Sequence, residues 1–145
     1  MITVLLVAAA IGAASEPTDV PDTLIDDFKT ASFPLNGWTH LTSDDTAIVF
    51  YLFPVRRQAG LPRISTRLEF TRPQTGAEGR YLSVRQVQEM DCVSGLSHRL
   101  ERTAHKGRNL EGPVVGEPEA DAPWVAPASG SLDEAIFRKA CAPLE

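Results

Sequence analysis

From residue 47 to residue 53 the chain reads A-I-V-F-Y-L-F, β-branched, aromatic or small apolar at every position. An unbroken apolar run of this length predicts a strand covered on both faces, and it is the natural candidate for the centre of a sheet. Over residues 63–70 the pattern becomes strict alternation. Ile64, Thr66, Leu68 and Phe70 fall on one side and Arg63, Ser65, Arg67 and Glu69 on the other, which predicts a strand with one wet face. Glycines at 76 and 79 flank a hairpin-like bend. Weaker alternation over residues 79–90 and 96–105 then brackets a turn-like stretch at 91–95, so these two segments read as a hairpin with Cys92 at its bend or strand end. Residues 107–130, rich in Gly and Pro among acidic side chains, predict a long irregular connection with one short strand, anchored by Trp124.

After that connection the period changes from two to between three and four. Ser131-Leu132-Asp133-Glu134 fits a capping box, in which the Ser hydroxyl accepts from an N3 amide and the Glu carboxylate reaches back. Leu132, Ile136 and Ala140 recur every four residues, with Asp133 and Glu134 in the first turn and Arg138 and Lys139 in the last, as the helix dipole favours. The prediction is a C-terminal amphipathic helix that ends at Cys141. Upstream, residues 26–32 predict a helical turn closed by Pro34 and Gly37, and the folded part begins near Trp38. The fold class read from these patterns is α+β: a mainly antiparallel sheet followed by one C-terminal helix.

The first 14 residues change the picture of where the protein works. They carry no charge, have an apolar core at residues 4–11, and end in Gly12-Ala13-Ala14 before Ser15. That is a signal-peptide pattern with a small-x-small cleavage site, too short for the roughly 20 residues that cross a bilayer. The alternative is an apolar N-terminal strand. No cysteine follows the leader, so no lipid-anchor signal is expected. Residues 15–34 form an acidic, Pro-containing lead-in, and residues 35–145 the domain. Hydrophobic residues at 43% and charged residues at 23% match ordinary globular usage, which speaks against disorder and against a membrane bundle. The two cysteines have no C-x-x-C or paired-His spacing for zinc or redox chemistry. In an oxidising compartment Cys92 and Cys141 are expected to pair; in a reducing one they would be two buried thiols.

Tyr81-Leu82-Ser83-Val84, then Met90-Asp91-Cys92, the Arg-containing strand to His105, and Trp124 followed by Pro127-Ala128-Ser129-Gly130-Ser131 and a helix ending in Cys141 together resemble the surface-adhesin protein E family of Gram-negative bacteria. The resemblance spans residues 35–142. It implies an antiparallel sheet of about six strands and one C-terminal helix tethered by the disulfide, in agreement with the periodicity. It also implies an exported protein, since family members that bind host extracellular-matrix and plasma proteins do so as outer-membrane lipoproteins. The absence of a lipobox cysteine departs from that pattern, and no binding residue transfers position by position.

Charge is unevenly distributed. Residues 15–54 carry one Lys against seven acidic groups, residues 55–110 eleven basic against five acidic, and residues 111–145 two basic against seven acidic. Arg63, Arg67, Arg85, Arg99 and Arg102 are therefore candidates for a positive sheet face that meets an anionic partner, whether polysaccharide, lipid head groups or an acidic protein surface. The alternative is that these arginines pair with the acidic segments at either end of the chain or are solvated. No nucleic-acid motif accompanies them.

A catalytic reading has three histidines to work with. His98 or His105 near Ser94 or Ser97 would suit an activated hydroxyl, yet no Gly-x-Ser-x-Gly elbow is present. The spacing of seven places His98 and His105 on opposite faces of an unbulged strand. His40, His98 and His105 read better as turn or surface histidines. Asp44 and Asp45 are a possible carboxylate pair, but Ser-Asp-Asp-Thr before a strand is ordinary turn chemistry. The sequence thus predicts an exported, periplasmic or secreted, non-catalytic binding or envelope-associated module without cofactor or metal, its partner an envelope or extracellular macromolecule. The alternative is a small periplasmic enzyme, or an inhibitor of one, built on a His/Ser or His/Asp site.

Overall fold

A computed structural model of the protein describes residues 35–143. In chain order these form β1 (Trp38–Ser43), β2 (Ala47–Leu52), β3 (Arg56–Gln58), β4 (Leu61–Gly76), β5 (Gly79–Asp91), β6 (Leu96–His105), β7 (Val114–Ala120) and a helix, α1 (Leu132–Cys141). Every strand pairing is antiparallel, in the order β1-β2-β4-β5-β6-β7, with β3 also paired to β4. The mainly antiparallel sheet with a C-terminal helix is the α+β architecture the periodicity predicts, with seven strands where the resemblance implied about six. The expected leader at 1–14, lead-in at 15–34 and helical turn at 26–32 lie outside the described residues.

Turn chemistry sets the strand ends. Asp44 Oδ1 accepts from the N–H groups of Thr46 and Ala47 at 2.8 and 2.9 Å, closing the β1–β2 turn. Ala59 and Gly60, with φ of 51° and 81°, make a two-residue hairpin loop between Gln58 and Leu61, the left-handed geometry such loops need. At the β5–β6 bend Asp91 Oδ1 accepts from Val93 and Ser94 N–H at 3.1 Å each. Cys92 sits in this bend, as the alternation predicted, and is bonded to Cys141 at the end of α1 with a Cα–Cα distance of 5.7 Å.

Two expectations about burial need correction. The apolar run of β2 is not the sheet's centre: β2 lies second from the β1 edge, and β4 and β5 occupy the middle. It is nonetheless covered on both faces. Val49 and Tyr51 pack with Ile64, Met90, Ile136 and Ala140 beneath the helix, while Ile48 and Phe50 pack with Trp38 on the other side. An apolar run reports coverage rather than rank in the sheet. The second correction concerns the wet face of β4, where Arg67 is only 2% and Glu69 0% exposed. The loop after β6 folds over this end of the strand. Arg108 Nη1 donates to Phe70 O at 2.8 Å, Asn109 N–H to Glu69 Oε1 at 2.8 Å, Leu110 N–H to Ser83 Oγ at 3.0 Å, and Ser83 Oγ–H to Gly107 O at 2.6 Å. Left-handed backbone at Asn109 and Leu110, φ 58° and 60°, places those two successive N–H groups on the sheet's polar side chains.

The helix cap follows the predicted chemistry with one displacement. Ser131 Oγ accepts from Glu134 N–H at 3.1 Å, but the Glu134 carboxylate reaches past Ser131 to Gly130 N–H at 2.6 Å and pairs with Arg138. Ser131→Ala is expected to cost about 1 kcal/mol of stability, read as a lower urea midpoint at unchanged m-value; an unchanged midpoint would show that the cap contributes nothing beyond the disulfide tether.

Candidate binding site

The strand register sorts the five candidate arginines. Arg63 and Arg67 of β4 and Arg85 of β5 project from the face away from the helix, since Arg67 stands directly opposite Arg85, and Arg63 opposite Glu89. Arg99 and Arg102 stand opposite Gln88 and Gln86 on the helix side. An extra residue in β6, Leu100, shifts the register there and puts Arg99 and Arg102 on one face, where an unbulged strand would part them. The expected single positive face is therefore divided between the two sides of the sheet.

The two groups differ in their environment. On the helix side, Arg99 pairs with Glu119 at 2.8 Å and Arg102 donates to Tyr81 Oη at 3.1 Å. With Gln86, Gln88 and Ser97 they line a pocket of about 370 Å³ that also holds Asp133. Gln86 Nε2 donates to Gln88 Oε1 at 3.2 Å. Charge here is largely matched, and the Arg99–Glu119 pair is the contact with the acidic C-terminal segment that the alternative reading expected.

On the opposite face, Arg67 is buried against Phe50, its guanidinium carbon 4.3 Å from the ring centroid, with the Trp38 ring at 5.7 Å and Glu69 Oε1 at 3.3 Å from Nε. It serves the core. Burial lowers its pKa and raises that of Glu69 to about 7, because desolvation outweighs what the Asn109 N–H and the Arg67 and Arg108 charges return. Arg63 and Arg85 instead join two residues the sequence reading had not singled out. β3 resumes the line of β2 along β4 and sets Arg56 directly opposite Arg63. Arg56, Arg57, Arg63 and Arg85 then surround a groove of about 700 Å³ whose lining includes Ser65, Val87 and Phe53. Phe53 is 72% exposed. Arg63 Nε meets Glu89 Oε2 at 2.7 Å and Arg57 Nη1 donates to Gly60 O at 3.4 Å, whereas Arg56 and Arg85 form no ion pair among the described residues. The adjacent arginines at 56 and 57, followed by Gln58-Ala59-Gly60 and a second strand, are the signal in the sequence for this cluster.

The histidines are dispersed. His40 on β1 meets the edge of Phe50 at 6.0 Å. The Leu100 bulge brings His98 and His105 to the same face, contrary to the unbulged expectation, but they stand opposite Glu89 and Ser83, about 20 Å apart along the strand. His98 lies 3.9 Å from Asp121 and against the Trp124 ring at 4.7 Å. Ser97 is on the helix side and Ser94 is in the turn, and neither hydroxyl bonds a histidine among the described residues. Asp44 and Asp45 are engaged in the turn, Asp45 through its carbonyl, which accepts from Thr71 Oγ1 at 2.8 Å. Among the described residues no three His, Cys, Asp or Glu side chains cluster as a metal site, and no helix is long and apolar enough to cross a membrane.

A family model described as surface-adhesin protein E matches residues 38–142. No curated protein and no solved structure matches the chain.

Proposed function

We propose, because the chain belongs to the surface-adhesin protein E family, that it is exported and acts as a non-catalytic, adhesin-like binding module in the envelope or outside the cell. The observation that carries this reading is the extent of the match, which runs from the first residue of β1 to just past the end of α1. In this reading residues 1–14 are a removable signal peptide, residues 15–34 a lead-in, and residues 35–145 the binding domain. An oxidising destination is also where a structural disulfide forms and persists. The dispersal of the histidines favours binding over His/Ser or His/Asp catalysis, and the basic groove supplies an accessible surface for an anionic partner.

Intact mass tests the address. Protein recovered from the periplasm and medium of its native cells is expected to lack about the first 14 residues, the length of the leader pattern, and to alkylate on two thiols only after reduction. An uncleaved chain with two free thiols in the cytosol would overturn the proposal.

A further inference from the structure

We propose that the groove formed by Arg56, Arg57, Arg63 and Arg85, with Phe53 in its lining, binds a linear acidic polysaccharide: a chain of sugar rings bearing sulfate or carboxylate groups. The inference rests on the binding-module reading above and gives that module a ligand class. Four guanidinium groups line this groove, and the one carboxylate paired with them, Glu89 on Arg63, stands outside its lining, so the groove carries uncompensated positive charge. Within the groove Arg56 stands directly opposite Arg63. Like charges placed across a ladder destabilise a sheet, and a bound polyanion reverses the sign of that interaction. The cations are all arginines, whose planar fork grips two oxygens of a sulfate or carboxylate at once.

The spacing argues for an extended chain over a compact anion. Arg63 is opposite Glu89, four positions along β5 from Arg85, which separates the two ends of the groove by roughly 13 Å of strand. Between them lie Ser65 and Val87, uncharged and suited to the neutral part of a sugar ring. A chain with charges at intervals meets both ends, whereas a single small anion would require side chains from both ends to converge over Ser65 and Val87. Exposed Phe53 offers a flat apolar surface to the C–H face of a ring. A bilayer fits less well: the site is concave, and Phe53 is the one large exposed apolar side chain in its lining among the described residues.

The test titrates the full chain with a heparin-derived octasaccharide at low and at moderate salt, beside vesicles of anionic phospholipid. Saturable binding is expected that weakens as salt rises and is weaker by about tenfold per arginine in Arg56→Gln/Arg85→Gln, the value of one exposed charge-assisted contact. Arg99→Gln/Arg102→Gln, on the helix side, is expected to stay within about threefold of the parent, as for a distant site. Matching circular dichroism and urea midpoints certify that both variants fold. Absence of saturable binding by the parent, equal losses in both variants, or tighter binding to vesicles that Phe53→Ser abolishes would each overturn the polysaccharide site. A failed titration with a cleaved, exported protein leaves the module reading standing, while binding by a chain found uncleaved in the cytosol keeps the groove and sinks the export.

Discussion

Cys92→Ala and Cys141→Ala are expected to lower the unfolding free energy by the same amount, on the order of 4 kcal/mol in the chain-entropy description, and the double variant by no more than either alone. The bridge joins residues 49 apart in sequence, so it removes a large loop-closure freedom from the unfolded chain. It also holds an element that cannot hold itself. α1 has ten residues, short of the 12 to 15 at which isolated helices become marginal, and it buries Ile136 and Ala140 against β2, β4 and β5. Urea unfolding of the three variants and of the reduced parent measures this directly. Since one bond is lost in every case, all four proteins are expected to coincide. Additive losses in the double variant would mean that the two side chains stabilise separately through packing, and the staple would lose its assigned role.

Stability is expected to fall as pH rises from about 5 to about 8, by on the order of 3 kcal/mol if the whole shift of Glu69 is expressed. The Glu69 carboxyl is raised from 4.5 to about 7, first by burial and also by the neighbouring Glu111 charge. Across that window the folded protein holds a proton that the unfolded chain has released. The associated stabilisation is complete below pH 4.5 and is lost as pH passes through about 7. Geometry agrees, because Glu69 Oε1 takes the Asn109 N–H while Oε2 is buried with no hydrogen-bond partner among the described residues. Glu69→Gln is expected to flatten the pH dependence of the urea midpoint between pH 5 and 8. Arg67→Met removes a charge that lowers the Glu69 pKa, and so should move the fall in stability to higher pH. A wild-type profile already flat across this range would refute the buried, protonated carboxyl. Hydrogen exchange at Asn109 and Leu110 provides a local readout, since these amides bond Glu69 and Ser83.

The basic groove shows where sequence reasoning stops. Arg63 and Arg85 were recognisable as strand arginines, but their partners Arg56 and Arg57 reach them only because β3 resumes the line of β2 beside β4. The intervening residues 53–55 break the apolar pattern and conceal that continuation. Arg67 shares their face and yet is buried, because Phe50 and Trp38 arrive from β2 and β1. Arg99, ahead of the bulge, faces Gln88 on the helix side in simple register from the turn, whereas Arg102 would stand opposite Arg85 in an unbulged strand and is moved to Gln86. Alternation fixes sides only within an unbroken strand, and the Leu100 bulge resets it halfway along β6.

By itself the sequence determined what depends on short-range physics. The apolar run of β2, the Asp91 bend that holds Cys92, the Asp44 turn and the Ser131 cap are each written within a few consecutive residues, where period and turn chemistry act without help from afar. That an intramolecular disulfide, once formed, joins Cys92 to Cys141 follows from there being no other cysteine. Tertiary structure alone decided that β4 and β5 occupy the middle of the sheet, that the loop after β6 seals Glu69 away from water, and that four arginines from three strands share one groove. Each of these is a choice of partner between distant segments. Such choices turn on register, bulges and what covers a face, quantities that the pattern of a single strand does not carry.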